Sequence, residues 1–327
     1  MSPRVVIAGG YGLVGGTVAR HLRAAGHQLD LVLAGRNPEQ GEALAVELGA
    51  RTARLDVADP AGSLAELGPI DLVIATLQDP GDNLLTATLR SGAAHIGIVR
   101  AADSMASSAI AAVNLARRPA LLLGHWQAGV LTLAALAAAK AFARVDRIEL
   151  AALYDYADPI GPMTAADSGG FVGRALVREH GAWANLEAGV SSRRVERGEL
   201  PAFDALPMGV LDTPGLASIT AAADVRFDLG TGTSIGTAAG GVASHDLYID
   251  ITGTTAAGET VTRRTLMSDP KGQAHLTGLG VLIGAERLLG LDGAAPPAAG
   301  LRLPETTIDP DWALERLRAF GVRIEAV

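Results

Sequence analysis

A glycine-rich turn close to the start of the chain constrains the fold more than any other feature. The apolar run Arg4–Ala8 leads into Gly9-Gly10-Tyr11-Gly12-Leu13-Val14-Gly15, and a segment with helical spacing, Thr17–Ala25, follows. The turn contains both G-x-G-x-x-G and the shifted pattern G-x-x-G-x-x-G. Such a pattern is weak evidence alone, but here it lies between a predicted strand and a predicted helix, which is the context that dinucleotide-binding βαβ units require.

Each glycine of such a turn has its own role. One allows the tight turn, one lets the backbone approach the pyrophosphate, and one lets the helix pack closely on the strand. The pyrophosphate then lies at the helix N-terminus. We therefore predict that the cofactor contacts Gly9, Gly10, Tyr11, Gly12, Leu13, Val14 and Gly15. The alternative is a glycine-rich turn in an α/β protein that binds nothing.

The end of the second predicted strand, Leu29–Ala34, favours NADP(H). An NAD site has an acidic residue here that accepts hydrogen bonds from the ribose 2′-hydroxyl. The sequence instead reads Gly35-Arg36-Asn37, and Asp30 lies at the opposite end of the strand. Arg36 can contact a 2′-phosphate with its planar guanidinium, and Asn37 can add a hydrogen bond. A solvated arginine without a ligand is the alternative.

Two further strand ends complete the predicted cofactor site. Asp56 ends the third strand, where it either accepts a hydrogen bond from the adenine amino group or caps the following turn. Leu77 and Gln78 follow the fourth strand, whose loop normally passes the nicotinamide ribose. We therefore include all three as cofactor candidates.

Strands and helices alternate up to about Leu123, which predicts a parallel, doubly wound sheet. The predicted strands are Arg4–Ala8, Leu29–Ala34, Thr52–Val57, Asp71–Thr76, His95–Val99 and Ala120–Leu123. The predicted helices are Thr17–Ala25, Pro38–Leu48, Leu84–Ser91 and Ser104–Ala116.

The pattern changes after Lys140. Two Thr- and Ile-rich runs, Asp246–Gly253 and Glu259–Met267, predict a hairpin and hence an antiparallel sheet. The other predicted segments are a strand Ile148–Tyr154, a helix Gly170–Ala182, a loop or sheet edge Gly230–Gly241, a helix Lys271–Leu289, a linker Ala294–Pro304 and a helix Pro310–Phe320. The fold class is therefore α/β, with a second, α+β domain.

The composition limits the class of protein. Hydrophobic residues make up 49% and charged residues 19% of the 327 residues, which supports a buried core, and the length favours two domains. The formal net charge of −8 argues against nucleic acid or an anionic membrane as a partner. The absence of cysteine excludes disulfides, thiolate metal ligands and a cysteine nucleophile. No signal-peptide layout begins the chain, so we expect a cytoplasmic protein.

Substrate candidates follow from the rule that ligands of such sheets lie beyond the carboxyl ends of the strands. Arg100 follows the fifth strand, and His125-Trp126-Gln127 follows the sixth. A histidine at a strand end can donate a proton near neutral pH, so His125 is a catalytic candidate. The alternative is a histidine hydrogen-bonded to backbone at a domain joint. His95 lies within a strand and is interpreted as core.

The end of the predicted strand Ile148–Tyr154 carries two phenols and two carboxylates. Tyr154, Asp155 and Asp158 could hold a cationic amine, and Tyr156 is a possible acid. A turn of solvated acids is the alternative. None of the tyrosines has a lysine four residues later, so the catalytic pair of short-chain dehydrogenases is missing, as is any H-E-x-x-H metal motif. Reduction of a protonated imine needs less acid catalysis than reduction of a ketone. The scarcity of candidate acids in the sequence therefore favours C=N chemistry.

The sequence resembles the saccharopine dehydrogenase-like reductases in Val5–Gly15, in Leu33–Asn37 and in the tail Leu303–Asp311. The resemblance implies a Rossmann domain, an inserted mixed α/β domain, and a return of the chain near Lys271 to pack on the first domain. We accordingly expect a dinucleotide-binding domain over 1–125, a substrate and dimerisation domain over 126–270, and returning helices over 271–327. It further implies an NADP-dependent enzyme that acts on an imine, an amino-acid adduct or a related carbonyl.

Two departures from the family predict a different substrate specificity. The fifth strand reads His95-Ile96-Gly97-Ile98 where the family often has His-Tyr-Val-Asp, and His125-Trp126-Gln127 is also atypical. The chain is thus interpreted as an NADP(H)-dependent oxidoreductase with a small-molecule substrate, and a homodimer is expected from the open antiparallel sheet. The alternative is a non-catalytic NADP(H)-binding sensor, which keeps the cofactor site without an acid.

Overall fold

The structure, a computed structural model, describes residues 2–98, 105–161, 172–187 and 191–327. The chain forms two compact units. The first contains the residues up to Gly124 together with Thr277–Ile308, and the second contains His125–Leu276 and Asp309–Val327. Residues 309–327, which were expected among the returning helices, belong to the second unit.

The first unit is built on a sheet of seven parallel strands. Its strands are β1 (Arg4–Ala8), β2 (Asp30–Gly35), β3 (Arg51–Arg54), β4 (Leu72–Ala75), β5 (Ala94–Gly97), β6 (Pro119–Leu122) and β15 (Gly300–Arg302). Their order is β15-β6-β5-β4-β1-β2-β3, and every neighbouring pair is parallel. The apolar runs form central strands because side chains on both faces are covered: Val5, Val6 and Ile7 have no exposed surface. The predicted doubly wound sheet is confirmed.

Short helices connect these strands. They are α1 (Leu13–Ala24), a 3₁₀ turn (Pro38–Gly41), α2 (Glu42–Leu48), α3 (Pro60–Ala65), α4 (Asn83–Ser91), α5 (Met105–Leu115) and, near the C-terminus, α10 (Pro304–Thr307). The predicted linker Ala294–Pro304 contains β15, which extends the sheet beside β6. Its three residues are too few to show a period in the sequence.

The second unit contains a nine-stranded mixed sheet. Its strands are β7 (Arg144–Tyr154), β8 (Arg174–Glu179), β9 (Ala182–Glu187), β10 (Arg193–Arg197), β11 (Leu200–Pro207), β12 (Asp224–Thr231), β13 (His245–Thr254), β14 (Thr260–Asp269) and β16 (Arg323–Ala326). The main order is β10-β11-β12-β7-β13-β14-β16, and β8 pairs with β12 and β9. Only β7 and β12 pair in parallel among these described strands. The predicted hairpin is confirmed as β13–β14.

The helices of this unit complete the fold. They are α6 (Val130–Ala139), α7 (Asp212–Thr220), α8 (Ile235–Ala238), the beginning of α9 (Gln273–Leu289), and α11 (Pro310–Ala319). The predicted loop Gly230–Gly241 instead contains the end of β12 and all of α8. None of the helices in the described ranges is long and apolar enough to cross a membrane.

The prediction of a helix over Gly170–Ala182 is wrong wherever the structure describes it. Residues 174–187 form the hairpin β8–β9, in which Ala175 and Val177 are buried with the period of two that is typical of a strand. The turn consists of His180 and Gly181, with φ of 50° and 80°. Two consecutive positive φ values are typical of a type I′ hairpin turn, but His-Gly is not among its common sequences.

Candidate functional site

The glycine turn connects β1 to α1 through close backbone contacts. Gly9 has φ of 81°, and its N–H donates to the Ala34 carbonyl at 2.8 Å. A Cβ on Gly15 would lie 2.1 Å from the Gly9 carbonyl oxygen, and one on Gly10 would lie 2.7 Å from the Ile7 carbonyl oxygen. Gly10 and Gly15 are therefore required for packing of the turn against its own strand and helix.

Gly12 differs from these glycines because packing does not explain it. Its φ and ψ of −75° and 174° suit any residue. A Cβ at this position would meet only the Gly9 carbonyl oxygen, at 3.3 Å, among the described residues. Gly12 is also the N-cap of α1, whose first turn contains no acidic residue. The exposed backbone at a positive helix end fits the pyrophosphate of a dinucleotide.

Thr76 contacts the glycine turn through its hydroxyl, a role that the sequence did not predict. Its hydroxyl donates to the Ala8 carbonyl at 2.8 Å, and the residue is 9% exposed. Cβ atoms on Gly9 and Gly15 would lie 2.9 and 2.8 Å from this hydroxyl oxygen. A hydroxyl residue directly after the buried run Leu72–Ala75 was the available signal.

The end of β2 carries the two residues predicted to recognise the ribose phosphate. Arg36 and Asn37 are both exposed directly after Gly35. Within the described ranges, no residue pairs with the Arg36 guanidinium. The Asn37 backbone N–H donates to the Tyr11 hydroxyl at 3.0 Å. The sequence-predicted residues Tyr11, Arg36 and Asn37 are thus brought together at one strand end.

The other cofactor candidates differ in their exposure and in the hydrogen bonds that they make within the protein. Asp56 accepts a hydrogen bond from the Ala58 N–H at 3.0 Å, which is the turn-capping role left open by the sequence. Leu13 is 41% exposed at the start of α1, and Val14 and Leu77 are half-buried. Gln78 is exposed after β4. The predicted core position of His95 is confirmed, because it is 3% exposed.

In the second unit, a buried carboxylate that sequence reasoning missed lies beside His125. Asp212, at the start of α7, has no exposed surface and accepts hydrogen bonds from the Trp126 N–H at 2.6 Å and the Thr132 hydroxyl at 2.7 Å. Burial raises the pKa of Asp212, while the nearby His125 acts to lower it. His125 is itself 5% exposed. A single Asp at the start of a short helix gave no sequence signal for this contact.

Gln127 and Trp126 both contact His245. The Trp126 indole N–H donates to His245 Nε2 at 3.2 Å, and Gln127 Nε2 lies 2.9 Å from the same atom. An indole N–H can only donate, so His245 Nε2 is the unprotonated nitrogen. Burial lowers the pKa of His245 to about 4, so the ring is neutral at physiological pH. The imidazole therefore acts as an acceptor that fixes two of the predicted substrate residues.

The backbone of this segment is strained. Gln127 and Ala128 have φ of 51° and 53°, in the left-handed region, and Gly129 follows with φ of 92°. Such conformations cost on the order of 1–3 kcal/mol each at non-glycine residues and occur often at functional sites. The hydrogen bond between Gln127 and His245 and the burial of Ala128 hold the turn in place.

The acids after β7 are buried rather than solvated. Asp155 accepts hydrogen bonds from the Ser234 N–H at 2.9 Å and the Thr237 hydroxyl at 2.6 Å. Burial acts to raise the pKa of Asp155, but these hydrogen bonds outweigh it and lower the pKa to about 2. Asp158 accepts from the Gln273 N–H at the start of α9, at 2.8 Å, and burial raises its pKa to about 6.

The phenols of the same strand end lie near each other. The rings of Tyr154 and Tyr156 are 5.3 Å apart in an edge-to-face arrangement. Burial raises the pKa of Tyr154, whose hydroxyl donates to the Asp158 carbonyl at 3.3 Å. Tyr156 is 78% exposed. The predicted substrate residue Arg100 lies outside the described residues.

Comparisons with known proteins identify the fold. No family model and no curated protein sequence matches the chain. Apo saccharopine dehydrogenase (L-Glu forming) from Saccharomyces cerevisiae is similar over 100% of both chains, with a TM-score of 0.72 and 14% identity. GenD2 from gentamicin A biosynthesis, in complex with NAD, has a TM-score of 0.51 and 14% identity, covering 100% of this chain and 96% of its own.

A third solved structure is also similar in fold. An oxidoreductase from Agrobacterium radiobacter, in complex with NAD⁺, L-tartaric acid and magnesium, covers 99% of this chain and 98% of its own, with a TM-score of 0.50 and 12% identity. At these identities the likeness concerns the fold. Together with the parallel sheet and glycine turn, it confirms that the chain has the fold of saccharopine dehydrogenase, with a Rossmann-like sheet in its first unit.

Proposed function

We propose that this protein is an NADP(H)-dependent oxidoreductase that transfers a hydride to or from an imine, an amino-acid adduct or a related carbonyl. The observation that carries the proposal is the pair formed by Gly12 and Arg36. Gly12 has exposed backbone at a helix N-terminus, and a Cβ there would meet a single described atom, the Gly9 carbonyl oxygen at 3.3 Å, so packing constrains it less than Gly15. Arg36 offers an exposed guanidinium at the strand end where an NAD site has an acid.

The first unit supplies the residues that would hold the cofactor. Gly9, Gly10, Gly12 and Gly15 form the turn for the pyrophosphate, and Arg36 binds the 2′-phosphate. When bound, the nicotinamide supplies or accepts the hydride. GenD2 and the Agrobacterium oxidoreductase are both described with NAD, which supports a dinucleotide. The preference for NADP(H) rests on Arg36 and on the missing acid.

The second unit supplies the candidates for proton transfer and substrate binding. His125 is the first candidate for proton donation, because it is a histidine directly after a strand and has the buried Asp212 carboxylate nearby. Tyr156 is the second, because its exposed phenol is accessible to a ligand. Arg100, Trp126, Gln127, Tyr154 and Asp158 remain substrate-binding proposals.

A non-catalytic NADP(H)-binding sensor is the second candidate. The observation in its favour is that the carboxylates of this region serve the fold: Asp155, Asp158 and Asp212 each accept backbone N–H bonds. An enzyme with so few uncommitted acids needs a substrate whose reduction requires little acid catalysis, as a protonated imine does.

Cofactor titration tests the first part of the proposal. NADPH and NADH are titrated by fluorescence into the wild-type protein, into Arg36→Gln and into the control Arg90→Gln, which removes an exposed charge from α4 of the same unit. We expect NADPH to bind more tightly than NADH. Arg36→Gln should weaken NADPH at least about tenfold and leave NADH unchanged, because a charge-assisted contact is lost. Equal or tighter NADH binding to the wild type would contradict the proposal.

Turnover distinguishes the enzyme from the sensor. NADPH oxidation is followed against imines and against amine plus keto-acid pairs, with the wild type and with His125→Asn. Turnover with any pair supports the enzyme, and a His125→Asn variant that binds NADPH normally but turns over more slowly supports proton donation by His125. No turnover with the whole panel favours the sensor.

A homodimer remains a proposal supported by the open sheet of the second unit. β10 and β16 end its main strand order, so each has one side without a partner strand among those described. Exposed strand edges favour pairing with another chain. Light scattering that gives a monomeric mass at micromolar concentration would contradict it.

A further inference from the structure

Tyr11 lies inside the glycine turn but contacts the end of β2. Its hydroxyl oxygen accepts the hydrogen bond from the Asn37 N–H at 3.0 Å. A Cβ on Gly35 would lie 2.2 Å from this oxygen, and one on Gly41 would lie 2.7 Å from Tyr11 Cδ1. The Tyr11 ring therefore occupies the space that side chains at Gly35 and Gly41 would take. Neither glycine has a positive φ, so this contact is their structural explanation.

The phenol is held beside Arg36. Gly35 and Asn37, which both contact the hydroxyl region, flank Arg36 in the chain. A phenol oxygen that accepts one hydrogen bond still has its own O–H to donate. No residue in the described ranges accepts that proton, and none pairs with the Arg36 guanidinium. Two such donors, at a strand end without an acid, suit a phosphate group.

We propose that Tyr11 is a specificity-determining residue that donates a hydrogen bond to the 2′-phosphate of NADP(H) and fixes the loop that carries Arg36. This inference rests on the proposed function, because it needs NADP(H) as the ligand. NAD(H) has a 2′-hydroxyl in place of the phosphate and would gain only a neutral hydrogen bond. Loss of the phenol O–H should therefore separate the two cofactors.

The test is the variant Tyr11→Phe, which keeps the ring and removes one oxygen. Dissociation constants are measured by fluorescence for NADPH and NADH, and by competition for 2′,5′-ADP and 5′-AMP, which differ only in the 2′-phosphate. We expect the constants for NADPH and 2′,5′-ADP to rise about tenfold, the factor of a charge-assisted hydrogen bond. Those for NADH and 5′-AMP should rise by no more than about threefold, because only a neutral hydrogen bond is lost.

A thermal melt of each protein shows whether the loop survives the change. A melting temperature close to that of the wild type, together with the selective loss, supports the proposal. Equal losses for the phosphorylated and unphosphorylated ligands would overturn it, because Tyr11 would then only support the turn. Unchanged affinities would overturn it as well. A wild-type protein that does not prefer NADPH would overturn the proposed function itself, and this is visible before any variant is made.

Discussion

The glycine turn of the first unit and the His125–Gln127 segment of the second are both strand-end segments, but their polar groups differ. In the turn, Gly12 has exposed backbone that packing does not require, and Arg36 has no partner among the described residues. Around His125–Gln127, the polar groups bond to one another, through Asp212 and His245. The glycine turn therefore leaves polar groups available to a ligand, whereas the hydrogen bonds around His125–Gln127 stabilise that segment's own conformation.

The two regions also differ in how visible their contacts are in the sequence. A ligand that lies against backbone dictates glycines at fixed spacing, and these are visible in the sequence. A segment held by distant side chains depends on residues such as Asp212 and His245, which lie 86 and 118 residues away from their partners Trp126 and Gln127. No local spacing reveals such contacts.

We expect the largest effect from Gly15→Ala, and Gly12→Ala provides the comparison within the same turn. Gly15→Ala places a Cβ 2.1 Å from the Gly9 carbonyl oxygen, so the backbone must shift. We expect it to lower the free energy of unfolding by about 3 kcal/mol and to abolish NADPH binding. Gly12→Ala meets only the Gly9 carbonyl oxygen, at 3.3 Å, which has to move by a few tenths of an ångström, so it should lose much less stability than Gly15→Ala but still lose affinity. Thermal melts and NADPH titration of both variants provide the check; normal NADPH affinity in Gly12→Ala would show that the pyrophosphate does not lie against Gly12.

The pH dependence of stability tests the second region. His245 has a folded-state pKa of about 4, below its usual 6.5, so its stabilising contribution is complete above pH 6.5 and is lost as the pH falls to 4. Asp158 has a folded-state pKa of about 6, above its usual 3.8, so its contribution is complete below pH 3.8 and is lost as the pH rises to 6. Each contribution is about 3 kcal/mol in size, since one pKa unit corresponds to about 1.4 kcal/mol.

These opposite slopes largely cancel in the wild type, and two variants separate them. With His245→Gln, the free energy of unfolding should rise as the pH is lowered from 6.5 to 4, because the Asp158 contribution remains. With Asp158→Asn, it should fall more steeply than in the wild type. Urea denaturation at pH 4.5, 5.5 and 6.5 measures both slopes. Parallel slopes in all three proteins would show that neither group is buried as described.

The variant Asp212→Asn tests whether the buried carboxylate contributes only to stability or also to the reaction. The amide has one acceptor oxygen and an NH2 group that can only donate, so it cannot accept from both the Trp126 N–H and the Thr132 hydroxyl as the carboxylate does. We expect a loss of about 2 kcal/mol in the free energy of unfolding and an NADPH affinity within about twofold of wild type. Denaturant titration and cofactor titration measure the two quantities. An unchanged stability with a loss of turnover would instead give Asp212 a role in the reaction.

Much of the first unit could be predicted from the sequence because its strands are continuous apolar runs that end in glycine or polar residues. The exceptions are short, such as β15, which has three residues. In the second unit, the β13–β14 hairpin was predictable from its Thr- and Ile-rich runs. The hairpin β8–β9 was not, because Arg174–Glu179 has helix-compatible spacing and its turn consists of His180 and Gly181.

The candidate site divides in the same way. The exposed position of Arg36 after β2 was predictable because an apolar run that ends in glycine marks a strand end, and its role toward the ribose phosphate stays a prediction. Thr76 was missed because its hydroxyl acts from a neighbouring strand, and Asp212 because its partners are far away in the chain. The alternative for the turn after β7, a set of solvated acids, is wrong because Asp155 and Asp158 are 7% and 4% exposed.

The smallest expected effect concerns the strain at Ala128. Its φ of 53° is unfavourable for alanine, and glycine removes the steric cost while adding backbone entropy to the unfolded chain. Ala128→Gly should therefore raise the free energy of unfolding by only about 0.5 kcal/mol. Ala221→Gly is the matched control, because Ala221 has φ of 56° at the end of α7, away from the His125–Gln127 segment. Equal gains in urea denaturation would mean that the strain at Ala128 is ordinary turn strain. If the free energy of unfolding rises for Ala221→Gly but falls for Ala128→Gly, packing of the Ala128 methyl group stabilises the protein by more than the backbone strain destabilises it.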